Sequence, residues 1–298
     1  MTNIAFFEPI SGTGRPDGDR VRYRPTTFAA SLWAPGTLNG PAVCGLAARA
    51  VETEFGDDEF VPARCTIDLF KAARDIVTST RTRLVRSGGR IRVVDVEVVQ
   101  HPEGADPDGA EEVVVARGTT VFLRTSTNPP GQRWHRPAAA VTFRAPEIAS
   151  DDDLSPRFAS DAADDSVGEW ERDMANHQNG HRKRMWSRAA PIVAGEKLTP
   201  FQRAVISAES ASLVSNWGTT GIGFINCDLT VALSRLPSGE RVGVEADVHI
   251  EDDGVSVSNA GLYDENGMFG TALVTAVNNA AAQIDFTTVD TSERYREA

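Results

Sequence analysis

Cysteine, histidine and tyrosine are all scarce in this 298-residue chain, with three, five and three copies. Three thiols, an odd number, do not make a disulfide framework. Cys44, Cys65 and Cys227 each fall within an apolar stretch and read as reduced packing residues. There is no Gly-x-Ser-x-Gly elbow, and no histidine has an evident nucleophile to partner, which argues against a serine hydrolase. His177 and His181 are four apart, but they flank Asn179-Gly180, a poor setting for zinc. Lys and Arg total 30 against 42 Asp and Glu, for a net charge of -12. Such a balance argues against nucleic acid and anionic membranes as partners, because phosphate polyanions require clustered cations. No run approaches the length of a membrane span, and Met1 to Glu8 lacks the basic start and apolar stretch of a signal peptide, so a cytoplasmic location is expected.

The apolar content, 41%, suffices for a full core. It is distributed as the same order of elements met twice. Leu38-Asn39-Gly40-Pro41 opens a helical stretch to about Phe55, followed by strand-like runs near Arg64, Asp75, Arg90 and Glu112. Pro200 to Trp217 then forms a second helix, with strand-like runs near Phe224, Arg241, Val255 and Met268. Ala63 to Leu69 can be laid over Ile225 to Val231, and internal similarity of this kind fixes architecture early.

In the second unit, Val242, Val244, Ala246, Val248 and Ile250 alternate with polar residues, predicting a strand with one wet face. A change of phase near Ser258 to Gly261 predicts a bulge. Asp264-Glu265-Asn266-Gly267 predicts a tight turn. Residues 126–180, with Pro129-Pro130-Gly131 and acidic clusters, read as a linker between units spanning 1–125 and 181–298. Within it Val141-Thr142-Phe143 has the character of a strand. Arg182-Lys183-Arg184 reads either as a solvated run or as a phosphate contact.

The Trp186-Ser187-Arg188 strand, the Gly195 to Pro200 helix start and the stretch Phe224 to Leu233, followed by Arg235, Pro237 and Gly239-Glu240, carry a resemblance. The sequence resembles the acyl-CoA thioesterase superfamily, thioesterase II-like and of actinobacterial type. The resemblance implies an α+β double hotdog, with two antiparallel sheets each wrapped around a long central helix. It also implies a fatty acyl-CoA as substrate, hydrolysed by water to free acid and coenzyme A, with no cofactor. A monomer or a homo-oligomer is compatible with it. The alternative is a noncatalytic double hotdog that binds acyl-CoA or an acyl carrier. A hotdog hydratase is disfavoured, since no His lies in either predicted helix.

Glu209 is the only acid between Phe201 and Trp217, and a carboxylate in an apolar helix must be paired, hydrated or protonated. The residues alone leave it as a site residue or an edge residue. The family carries an acid here, usually Asp, to deprotonate the attacking water, so the resemblance implies that role for Glu209. It likewise implies Asn226 and Thr275 as catalytic partners, with Asn278 or Asn279 as stand-ins for a family Gln. Asn226, Asp228 and Thr230 are spaced to share one strand face, and with Asn39 and Gly40 they complete the expected substrate contacts. The Asn39-Gly40 turn either supplies N–H donors to an oxyanion or simply starts a helix.

Overall fold

The computed structural model describes residues 4–10, 21–102, 112–137, 143–148, 153–164 and 166–289. The first unit contains β1 (Phe7–Pro9), β2 (Arg22–Pro25), α1 (Gly40–Phe55), β3 (Phe60–Leu69), β4 (Thr78–Ser87), β5 (Ile91–Gln100) and β6 (Val113–Arg124). There follow β7 (Arg157–Ser160), β8 (Lys183–Arg188), α2 (Pro200–Glu209), α3 (Ala211–Asn216), β9 (Trp217–Gly218), β10 (Gly221–Ile222), β11 (Phe224–Asn226) and β12 (Asp228–Leu233). The long hairpins β13 (Arg241–Asp252), β14 (Val255–Asp264) and β15 (Gly267–Asn278) complete the set.

The strands form one sheet rather than the two expected. Its order is β1-β2-β4-β5-β6-β3-β12-β15-β14-β13-β8-β7, with β11 pairing β15, and β9-β10 stands apart as a small ladder. The seam is the antiparallel β3–β12 pair, where Thr66 faces Thr230. The two segments that match in sequence thus hydrogen bond to each other, which satisfies edges that separate sheets would leave open. α1 packs on β3 to β6, whereas α2 and α3 pack on β8 and β12 to β15. The N-terminal strand ties the units together, as Phe6 and Phe7 N–H groups donate to Pro191 and Ile192 carbonyls.

Local chemistry explains the helices. Asn39 caps α1 by accepting from the Ala42 N–H at 2.9 Å, and Pro41 costs no donor in the first turn. Thr199 and Gln202 form a reciprocal capping box on α2. Gly45 lets the helices approach closely, since a Cβ there would lie 3.0 Å from Ile206. The second helix is not continuous to Trp217 as expected. It breaks at Ser210, whose N–H turns back to Ser207 and Ala208 carbonyls, immediately after Glu209.

A bulge in the β13–β14 hairpin re-aims side chains. On β13, Ala246 pairs Ala260 but Val248 pairs Asn259, so Asp247 is the extra residue and the bulge lies on the strand opposite the one expected. Beyond it Val248 and Ile250 point to solvent rather than continuing the buried face, while Ser256 and Ser258 are buried. The β13–β14 turn, Asp253-Gly254, has positive φ at both residues, as a type I′ hairpin requires.

Among the described residues of 126–180, β7 adds to β8 at the sheet edge. Val141 and Thr142 lie outside the described residues; Phe143 is in no strand, and its ring stacks on Tyr263 at 4.5 Å over Gly243. Arg184, in the expected charge run, is fully buried, with Asp161 at 2.5 Å and Glu245 at 2.6 Å. It ties β8 to β13 and to Asp161, the residue after β7, and does not line the main cavity. Among the described residues no helix is long and apolar enough to cross a membrane.

Candidate active site

α1 and α2 run antiparallel, so that the end of each meets the start of the other. At one crossing, Glu52 of α1 accepts from Thr199 Oγ1 at 2.5 Å and Gln202 Nε2 at 2.9 Å. At the other, Glu209 of α2 lies against the first residue of α1: a Cβ on Gly40 would fall 1.8 Å from Glu209 Oε1. Only glycine permits that contact. Pro41 has no N–H and Ala42 donates to Asn39, so the Gly40 N–H is the remaining donor of this turn, at the positive end of the helix dipole.

The two crossings differ in their surroundings. Glu52 is tied up by the α2 cap, away from the main cavity. Glu209 lines a cavity of about 980 Å³ that also receives Asn39, Gly40 and Asn226. Most of its wall is apolar, with Phe28, Trp33, Leu38, Val43, Ile206 and Leu213 among the lining residues. Of the other lining residues, Phe70, Lys71, Arg172 and Cys227 are exposed, whereas Phe158, Met185, Ile222, Ile284 and Phe286 are buried.

Burial pushes the Glu209 carboxyl up to about 7, opposed by the hydrogen bond from Asn226. Asn226 Nδ2 donates to Glu209 Oε1 at 3.2 Å and reaches the Asp228 carbonyl at 3.4 Å. Asn39 lines the same cavity, but its side chain is occupied by the α1 cap and by the Phe28 and Ala30 carbonyls. A carboxyl titrating near neutrality, held by an amide beside a helix N-terminus, is equipped to accept a proton next to a site for negative charge.

The remaining expected residues lie elsewhere, and the cause is one inserted residue. Asn226 pairs Ala276, whereas Thr230 pairs Leu273, so four steps on one strand oppose three on the other. The extra residue is at Cys227, between β11 and β12, and the polar row expected along 226, 228 and 230 is broken there. Asn226 shares the inner face with buried Ala276; Thr230 shares the outer face with exposed Leu273. Asp228 turns to Thr275, accepting from its N–H at 2.8 Å and its hydroxyl at 2.5 Å. Thr275 lies between inward Val274 and Ala276, hence on the outer face, and none of Asp228, Thr230 and Thr275 lines the cavity. Thr230 meets Thr66 Oγ1 at 3.3 Å on the seam. Cys227 is exposed, not a core thiol as expected; Cys44 and Cys65 are buried. Asn278 and Asn279 are also absent from the cavity lining; the Asn278 side chain accepts from the Ala280 N–H at 2.9 Å.

Comparison with known proteins bears on this arrangement. Residues 29–123 match the family model of the acyl-CoA thioesterase N-terminal domain, and residues 136–276 match that of the acyl-CoA thioesterase C-terminal domain. No curated protein sequence matches the chain. Among solved structures, the chain is similar to the tesB protein of Mycobacterium avium subspecies paratuberculosis, with 10% identity and a TM-score of 0.57 over 87% of this chain and 92% of that one. It is also similar to an acyl-CoA thioesterase II of Mycobacterium marinum, at 13% identity and TM-score 0.55 over 86% and 91%. A hot dog fold protein of Alicyclobacillus acidocaldarius gives 12% identity and TM-score 0.56 over 89% and 94%. At such identities the structures speak to the fold, a hotdog, while the two consecutive domain matches speak to the family. The chain belongs to the acyl-CoA thioesterase family.

Proposed function

We propose that the protein hydrolyses a fatty acyl-CoA thioester, with Glu209 as the base. The observation that carries this reading is the Glu209 carboxyl, raised to about 7 and set on Gly40 at the inner side of an apolar cavity. The acyl chain occupies the cavity, and the thioester carbonyl lies beside the start of α1. Glu209 takes a proton from water as the water oxygen bonds to the carbonyl carbon, and the Gly40 N–H stabilises the oxyanion that forms. When the intermediate collapses, the carbon–sulfur bond breaks and the thiolate of coenzyme A leaves, taking up the proton that Glu209 holds. Asn226 fixes the carboxylate and favours its charged form. General-base help of this kind contributes about 10² to 10⁴ in rate.

The outward position of Thr275 and Asp228 reduces the polar set around Glu209, and this favours a second reading, a noncatalytic protein that binds acyl-CoA or an acyl carrier. Thiol release from acyl-CoAs of short to long chain, measured beside binding of thioether analogues, separates the two. Turnover supports hydrolysis; tight analogue binding without thiol release supports the binding protein.

A further inference from the structure

The matched domains end at residue 276, yet the chain continues and returns to the cavity. Ile222 and Ile284 exchange backbone hydrogen bonds, N–H to carbonyl, at 2.9 and 3.1 Å. Gly221 holds φ +104, and a Cβ on it would lie 2.0 Å from the Ile284 carbonyl oxygen, so this seat exists only for glycine. From the linker, Gln178 clamps the same segment from two sides. Its Nε2 donates to Asp285 Oδ1 at 2.9 Å, and its Oε1 accepts from the Phe286 N–H at 2.9 Å. The Phe286 ring then packs edge-on against Trp217, with centroids 4.9 Å apart. Ile284 and Phe286 are buried, and with Val289 they line the cavity.

Ile222, which pairs Ile284, precedes Asn226, the partner of Glu209, by four residues, at most about 14 Å of chain. The segment therefore belongs to the same cavity wall as the carboxylate, with two buried side chains facing the space the acyl chain would fill. Resting on the reading of this cavity as the acyl site, we infer that residues 283–289 form a strap that sets the longest acyl chain the protein accepts. Ile284, Phe286 and Val289 are the specificity-determining side chains, and Gln178 is the positioning residue that holds them. A chain that stops short of the strap gains contact with each added methylene. A chain that reaches it gains nothing further.

The test measures the affinity of the full-length protein for thioether acyl-CoA analogues of increasing length, which reports on the cavity whether or not the protein turns substrate over. Affinity of the wild type is expected to rise by about fourfold per methylene and then to stop at a definite length. Phe286→Leu and Gln178→Ala should move that limit to longer chains, and Val289→Phe, at a half-buried position, should move it to shorter ones. Because the changes act in opposite directions, loss of stability cannot produce both. An unchanged limit in variants whose circular dichroism matches the wild type would overturn the inference, as would absence of a length limit in the wild type. A limit that moves as expected in a protein that releases no thiol would retain the strap and remove the hydrolase reading.

Discussion

Replacing Glu209 by Gln tests the site through stability as well as rate. The carboxyl titrates near 4.5 when unfolded and about 7 in the fold, chiefly because it is buried. Between those values the native state keeps a proton that the unfolded chain has lost. The unfolded state binds fewer protons there, so stability falls as pH rises from 4.5 to 7. At about 1.4 kcal/mol per pH unit the accumulated cost is about 3 kcal/mol, absent below 4.5 and complete above 7. Gln has nearly the same shape and no proton to lose. Glu209→Gln should therefore gain stability over the wild type progressively from pH 4.5 to 7, reaching about 3 kcal/mol and remaining there at pH 8. Urea denaturation followed by tryptophan fluorescence across this range measures the difference. In parallel, thiol release should fall by about 10² to 10⁴. A stability difference that does not vary with pH would refute the raised carboxyl pKa, and undiminished turnover would remove Glu209 from the chemistry.

Three further outcomes follow from the geometry. Gly40→Ala sets a methyl group where Glu209 Oε1 lies, so the carboxylate must shift; kcat/KM should fall roughly 10²-fold while the melting curve stays cooperative. In the wild type, kcat/KM should rise about tenfold per pH unit up to about 7 and level off above it, since the charged carboxylate is the active form; Asn226→Ala removes a hydrogen bond that lowers this pKa and should move the limb to higher pH, whereas Thr275→Val, on the outer sheet face, should leave the profile where it was. Glu245→Ala strips a partner from fully buried Arg184 and should destabilise the protein by about 3 to 5 kcal/mol, read by denaturant titration.

Much of the architecture was already legible in local chemistry. Asn39 and Pro41, and Thr199 and Pro200, mark helix starts because capping involves neighbouring residues only, and the helices begin there. The strand near Arg241 follows from alternation, which is also local, and strands stand where strand-like runs near Arg90, Val255 and Met268 were expected. Glu209 stood out because a lone acid in an apolar helix carries a desolvation cost wherever that helix is buried. The Asp253-Gly254 turn carries an equally local signal, the Asp-Gly pair.

What spacing could not reveal depended on contacts between distant segments. A face is assigned by counting in twos, and one inserted residue at Cys227 reverses the count, which turns Asp228, Thr230 and Thr275 away from the site and leaves Asn226 in it. Whether two units build one sheet or two is decided by edge pairing, here β3 with β12. The sequence by itself determined the two helix-and-strand units, their caps and the acid at position 209. Only the tertiary structure decided that this acid meets Gly40 across antiparallel helices, while Glu52 at the opposite crossing is consumed by a cap, because the two contacts join residues more than 140 positions apart.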